Sequence, residues 1–198
     1  MFGRTLVLAL CLLAAVTPDL ASQAPRPAPF AAVPAQAPAE SAVAGALAPT
    51  LAANPSPARL LIPKIGVNAK IEARGLDAGR NMETPGDFHN VAWYDLGPRP
   101  GEPGNALMNG HVDWWTGSAV FTRLSELRIG DTVMVQRRDG SRLSFRVTSR
   151  RVVLANARIA SLFAPSRVAT LTLITCTGAW DPRIQSDTHR LLVSAVLV

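Results

Sequence analysis

The sequence predicts a mainly β domain, a closed barrel or sandwich of about eight short strands with one or two short helices. Three observations predict it. Short runs rich in Val, Ile, Leu and Thr recur along residues 59–198, separated by turns containing Gly, Pro or Asp. One run, Leu143–Thr148, alternates strictly: Leu143, Phe145 and Val147 fall on one side, Ser144, Arg146 and Thr148 on the other, the period of a strand with one buried face. Only two stretches, Ala119–Leu127 and Ala157–Phe163, suit a single helix or helical turn.

The strands follow in order. Arg59–Ile62 and Val67–Ile71 flank a turn at Pro63–Gly66. Val91–Tyr94 and Asn105–Val112 are separated by the Gly/Pro-rich stretch Gly97–Gly104. Thr132–Gln136 and Leu143–Thr148 bracket Asp139-Gly140, a strong hairpin signal because the tight turn needs φ > 0. Arg151–Leu154 and Thr170–Thr175 come next. Arg190–Leu197 is nearly all apolar, which predicts a central strand covered on both faces.

Residues 1–58 have a different character. Met1–Arg4 carries one positive charge and Thr5–Val16 is an unbroken run of apolar or small residues, the pattern of a secretory signal. Twelve helical residues span about 18 Å, short of the ~30 Å hydrocarbon core, so residues 1–22 read as a signal peptide, or else a signal anchor. Residues 23–58 are dominated by Ala and Pro with no surviving period, which predicts a disordered, semi-extended linker. The reading is therefore an exported chain, at the extracytoplasmic face of the membrane or secreted. Residues 1–58 sum to zero charge, so the net +6 falls on residues 59–198. Arg137, Arg138, Arg142, Arg146, Arg150 and Arg151 form a basic hairpin, but it lacks interleaved aromatics for stacking bases. It reads as a solvated face, or one drawn to an anionic envelope polymer, and not as a nucleic-acid site.

Two cysteines are too few for a disulfide scaffold or a four-cysteine zinc site. Cys11 belongs to the signal segment. Cys176 is then alone in the folded domain, at the end of a strand and just before Thr177-Gly178. A lone exported cysteine is a buried apolar residue, half of an intermolecular bridge, or a reactive thiol, and its place at a strand end favours the last. Such a thiol needs a partner, since its free pKa of about 8.5 leaves little thiolate at neutral pH. Of three histidines, His111 is the best partner because it too closes a strand at a glycine-punctuated loop, in NALMNGHVDWW. His89 lies in a polar turn. His189 points away from Arg190 by strand alternation and has no assigned role. Arg190 leads directly into the buried final strand, so its guanidinium must meet something polar, such as a developing oxyanion. Asp113 is within reach of His111 but reads more readily as a loop cap, and Trp114-Trp115 as a structural rim.

These residues also carry a resemblance. TLITC at Thr172–Cys176 fits the TLxTC signature of sortases, the cysteine transpeptidases of Gram-positive cell envelopes. NGHVD at Asn109–Asp113 resembles the family's histidine segment, and HRLLV at His189–Val193 the segment bearing its arginine. The order His, Cys, Arg is that of the family, and LLIPKIGV, WYDLGPRPGEPGNA and LRIGDTVMV extend the likeness over nearly all of residues 59–198. Within the family the chain looks most like class F, with class E nearest to it. The resemblance implies an eight-stranded sortase-type barrel in a catalytic domain spanning 59–198. It implies Cys176 as nucleophile, His111 as general acid/base and Arg190 as oxyanion or substrate-positioning group, with no cofactor and no metal. The implied partners are an LPxTG-like sorting-signal peptide of a secreted protein and an amine acceptor from a cell-wall precursor.

Rival readings are a cysteine peptidase or amidase that uses the same pair with water as acceptor, and a non-catalytic barrel that binds envelope components. An L,D-transpeptidase fits less well, because its Ser-His-Gly-Cys arrangement is missing; Ile174 and Thr175 precede the cysteine here.

Overall fold

The computed structural model describes residues 54–114 and 117–198. The expected signal segment, most of the linker, Trp115 and the side chain of Trp114 lie outside the described residues. Among the described residues there are ten strands: β1 (Pro57–Ile62), β2 (Val67–Arg74), β3 (Val91–Tyr94), β4 (Gly104–Asn109), β5 (Asp113–Trp114), β6 (Gly117–Ser118), β7 (Thr132–Arg137), β8 (Arg142–Leu154), β9 (Ala169–Asp181) and β10 (Ser186–Leu197). Eight of them close into a barrel in the order β1-β2-β3-β4-β9-β10-β8-β7, while β5 and β6 form a separate two-stranded ribbon. Closure leaves the barrel without a free edge. The expected helices are single 3₁₀ turns, Leu124–Glu126 and Ala160–Phe163, and Pro63–Ile65 is a third. No described helix is long and apolar enough to cross a membrane.

Local sequence explains most elements. Pro63 opens the turn after β1 and Gly66 ends it at φ 72°, so β1 folds back antiparallel on β2. The Asp139-Gly140 hairpin joins β7 to β8, with Gly140 at φ 85°. Two expected strands, 143–148 and 151–154, are one continuous β8, because β10 pairs along its whole length and absorbs a register shift between Ser194 and Ala195. β10 lies between β8 and β9, and Leu191, Leu192 and Val193 are consecutively buried, the pattern of a strand covered on both faces. The barrel interior holds Leu60, Ile62, Met108, Phe145, Leu171, Leu173 and Val193, each 1% exposed or less. Side chains of this size each contribute about 1.5–3 kcal/mol on burial.

The connection from β2 to β3, residues 75–90, is held by Glu72. Its carboxylate accepts from Arg74 Nε at 3.0 Å, the Gly86 amide at 3.0 Å and Asn90 Nδ2 at 2.7 Å. The Gly86 amide bond leads these in holding the carboxyl down to about 2, and the Arg74 and Asn90 bonds add to it. This anchoring decides where Phe88 lies.

Candidate active site

β9 runs from the core to the site. Leu171, Leu173 and Thr175 face inward, so Thr172, Ile174 and Cys176 line the outer face. Cys176 is half-buried and unbridged. Directly across from it on β10, in register, is Arg190. The Arg190 guanidinium is fixed by three bonds: Nη1 donates to the Asp187 and His189 carbonyls at 2.9 Å each, and Nη2 to Ser186 Oγ at 2.8 Å. Five N–H donors minus three leaves two uncommitted among the described residues.

Burial pushes the Cys176 thiol above its usual range. The Arg190 charge and a hydrogen bond with the Ser186 hydroxyl pull it back, while the Asp187 and Asp113 carboxylates push it further up. The thiolate is thus disfavoured by desolvation and held in play by one cation and one hydroxyl.

His111 arrives from β4, which runs parallel to β9 with Asn109 paired to Ile174. The strand ends at Asn109, not at Val112 as the sequence suggests, and His111 sits in the turn beyond it. Gly110 is tied to the thiol-bearing strand twice: its amide donates to Ile174 O at 3.1 Å, and its carbonyl accepts from the buried Thr175 hydroxyl at 2.8 Å. The two chains advance in step, to His111 on one and Cys176 on the other. Gly110 permits this turn because a Cβ there would meet Val120 Cγ1 at 2.6 Å and Phe121 Cδ2 at 2.8 Å. The His111 carbonyl accepts from the Phe121 amide at 2.9 Å. Its imidazole packs on the Phe88 ring, centroids 4.5 Å apart and planes at 48°.

A groove crosses the same outer face. Its floor includes Thr172 and Ser194, whose hydroxyls pair at 3.1 Å, and Asn105, whose Oδ1 accepts from Thr170 and Thr172 at 3.1 and 3.0 Å. Asn105 Nδ2 donates to Leu162 O at 3.1 Å and so holds the Ala160–Phe163 turn as a wall. Two cavities of about 300 and 530 Å³ lie against this wall, the first bounded also by Tyr94 and Phe163 and the second by Leu192 and Arg151. Neither cavity is lined by Cys176, His111 or Arg190.

The remaining candidates fall elsewhere. His89 is exposed. His189 Nδ1 is 2.9 Å from Thr188 Oγ1, and its strand partner is Thr177. Asp113 is exposed on β5 and makes no hydrogen bond with His111 among the described residues; its field acts on Cys176. Among the described residues no three His, Cys, Asp or Glu side chains converge on a metal-sized site. The sequence reading gave no role to Ser186, Asp187 or Phe88, and took Asn109 only as the start of the NGHVD segment. Asn109 Nδ2 donates to Glu83 O at 2.9 Å, while its buried Oδ1 has no partner among the described residues. The one available signal was Phe88, a single aromatic in the polar turn GDFHN.

Cys176 does not end its strand and Arg190 does not open one, as the sequence suggests, because β9 and β10 stay paired past them to Asp181 and Ser186, across a register shift between Asp187 and His189. A closed barrel that sets a cysteine against an arginine on paired strands, with a histidine turn advancing alongside, has the make-up of a thiol-dependent acyl-transfer enzyme. The Sortase domain family matches residues 60–198, and the chain belongs to the sortase family: it is a cysteine transpeptidase. Sortase C-1 from Actinomyces oris is similar in structure, with TM-score 0.57 and 25% identity over 71% of this chain and 72% of that one. The lid mutant of sortase A from Corynebacterium diphtheriae gives TM-score 0.56 and 27% identity over 76% and 74%. For sortase C2 of Group B Streptococcus pilus island 1 the values are 0.54 and 24% over 71% and 72%, a likeness of fold alone. These neighbours are sortases of classes A and C. No curated protein matches the sequence.

Proposed function

We propose that this sortase is exported, cleaves an LPxTG-like sorting signal through a thioacyl-enzyme on Cys176, and passes the acyl group to an amine of a cell-wall precursor. The observation that carries this reading is the register pairing of Cys176 with Arg190, next to the turn that bears His111. The Cys176 thiolate attacks the peptide carbonyl, forming a C–S bond. As the tetrahedral intermediate collapses the C–N bond breaks, and protonated His111 gives its proton to the leaving amine. An incoming amine then attacks the thioester and cedes a proton to His111, and the thiolate departs. The two spare N–H groups of Arg190 are suited to the oxygen on which negative charge grows. The GHVD segment and the short loop between Cys176 and Arg190 favour class F within the family. Residues 1–22 serve export and residues 23–58 act as a spacer for the catalytic domain, 59–198.

The test is incubation of the full chain with a panel of LPxTG-like peptides, followed by mass spectrometry. An adduct on Cys176 that resolves to an amide when an amine is added supports the reading. Absence of any adduct across the panel rejects it, and hydrolysis alone with every amine assigns the protein to peptidases instead.

A further inference from the structure

The side of the barrel opposite Cys176 is built from cations. The thiol-bearing β9 lies four strands from β1 in either direction around the barrel, so β1 and its neighbours β2 and β7 form the far wall. One row of residues crosses that wall in register: Lys70 on β2 against Arg59 on β1, Arg59 against Gln136 on β7, and Gln136 against Arg142 on β8. The adjacent row, Ala69, Leu60 and Val135, faces the core, so alternation turns the cationic row outward. With strands about 4.8 Å apart the row spans about 14 Å. Arg137 and Arg138 follow at the end of β7, and with Arg59, Lys70 and Gln136 they line a cavity of about 640 Å³ that no carboxylate lines among the described residues. The acids carried by β1, β2, β7, β8 and the hairpin between the last two are Glu72 and Asp139. Glu72 is taken up by Arg74, Asn90 and the Gly86 amide, and Asp139 accepts from Ser141. Arg59 bonds only Asn68, and the Arg137 guanidinium only Asn54 and Ser141, all neutral partners. The side chains of Lys70, Arg138 and Arg142 are exposed and without a partner among the described residues. The preceding chain also arrives here: Pro57 lines the cavity and Asn54 Oδ1 accepts from Arg137 Nη1 at 2.9 Å. Residues 1–53 therefore lead off from this wall, and they begin with the apolar run Thr5–Val16.

We propose that this wall is a docking surface for an anionic phospholipid bilayer, with Arg59, Lys70, Arg137, Arg138 and Arg142 as its contacts to lipid phosphates. Cations gathered with neutral partners repel one another, and an anionic surface removes that cost. The row is wider than one phosphate and carries its charges on four adjacent strands, so it meets several headgroups at once. The planar fork of arginine suits phosphate oxygens. The segment that leaves this wall carries the apolar run, so surface and segment act on the same bilayer, and engagement of one raises the effective concentration of the other. With β1, β2 and β7 against lipid, the outer face of β9 that bears Cys176 is turned away from it and stays open to peptide and amine. The attraction is worth about fivefold per cation and weakens as salt shortens the screening length. The inference draws on the export reading above and not on the assignment of Cys176.

The chain has two lysines, which makes the test direct: Lys70 on this wall, and Lys64 in the turn after β1, paired with Asp131 at 2.8 Å. The full chain is reconstituted with vesicles of phosphatidylcholine alone or of phosphatidylcholine and phosphatidylglycerol in equal parts. Both lysines are acylated with sulfo-N-hydroxysuccinimide acetate and read by peptide mass spectrometry. The ratio of Lys70 to Lys64 cancels differences in how much chain the apolar run holds on each vesicle. Labelling of Lys70 relative to Lys64 is expected to fall about fivefold on the anionic vesicles, and to recover at high salt. Arg138→Glu combined with Arg142→Glu reverses two exposed charges that hold nothing in the fold. This variant is expected to lose the protection while its thermal unfolding stays as in wild type. Equal labelling of Lys70 on the two vesicles overturns the proposal, as does protection that survives the charge reversal. Protection by inorganic phosphate alone, to the same extent as by vesicles, marks a single-anion pocket and overturns docking. Protection by a soluble glycerol-phosphate polymer but not by vesicles assigns the wall to an envelope polymer instead. If the wall is protected by anionic vesicles while cell fractionation finds the chain in the cytoplasm, the surface stands and the export reading fails.

Discussion

At the scale of single residues the site is a contest over one sulfur. Desolvation opposes the thiolate, Arg190 favours it, and Asp187 and Asp113 oppose it again. Two carboxylates beside a nucleophilic thiolate disfavour it electrostatically, so removing one charge has a definite sign. Asp187→Asn is expected to lower the thiol pKa and shift the Cys176 alkylation profile to lower pH. Iodoacetamide kinetics on the full chain check this, and an upward shift contradicts the balance of charges described above. The Asp187 backbone carbonyl, which holds Arg190, is unchanged in that variant, so the readout isolates the side-chain charge.

At the scale of elements, the site depends on how two connections are pinned. Gly110 lets the 119–121 segment approach the histidine turn. Gly110→Ala places a methyl within 2.6–2.8 Å of Val120 and of Phe121, which is fully buried. Overpacking of this kind costs about 1–3 kcal/mol and displaces His111 from its place beside β9. The expected outcome is a lowered unfolding midpoint together with slower acyl transfer; full activity at unchanged stability would show that the segment yields freely. The second pin is Glu72. Its folded pKa of about 2 lies below the roughly 4.3 of an unfolded glutamate. Its contribution is therefore complete above about pH 4.3 and is lost as pH falls toward 2. Glu72→Gln is expected to cost about 1–3 kcal/mol at neutral pH, by leaving the Gly86 amide and Asn90 poorly paired. It is also expected to flatten the fall in stability over that acid window. Chemical denaturation at several pH values measures both, and a variant whose acid profile parallels wild type removes Glu72 from the account.

At the scale of the whole molecule, a good part of the barrel was legible because its strands obey local rules. Phe145 sits inside where alternation put it, Asp139-Gly140 turns the hairpin, and Cys176 shares the face of Thr172 and Ile174. What was not legible depends on distant pairing. Residues 149–151 are polar and charged, and nothing local says that they continue a strand; β10 holds them in one. Closure of β1 against β7 joins segments about 75 residues apart, and no short motif encodes it. The reading of His111 as a strand residue failed because β4 is ended by a packing contact at Gly110, not by a break in its apolar run. For the candidate site, the positions of Cys176, His111 and Arg190 stood out by residue type and by a family resemblance. Ser186 and Phe88 did not, since each matters only through a neighbour supplied by the fold.

The register shift between Asp187 and His189 has a further consequence. Below it, the ladder from Thr170↔Val196 to Cys176↔Arg190 is continuous, so the opposition of Cys176 and Arg190 is fixed by seven pairs of strand residues, none of them in the hairpin tip. Above it, a change of one residue would ordinarily turn every following side chain to the wrong face. The shift takes up such a change before it reaches the ladder. The tip from Gly178 to Gln185 instead meets the site through Ser186 and Asp187, which pair with Asp181 and Trp180 and hold the Arg190 guanidinium. A change in the tip thus acts on where the guanidinium points, while the backbone opposition of Cys176 and Arg190 is kept by the ladder.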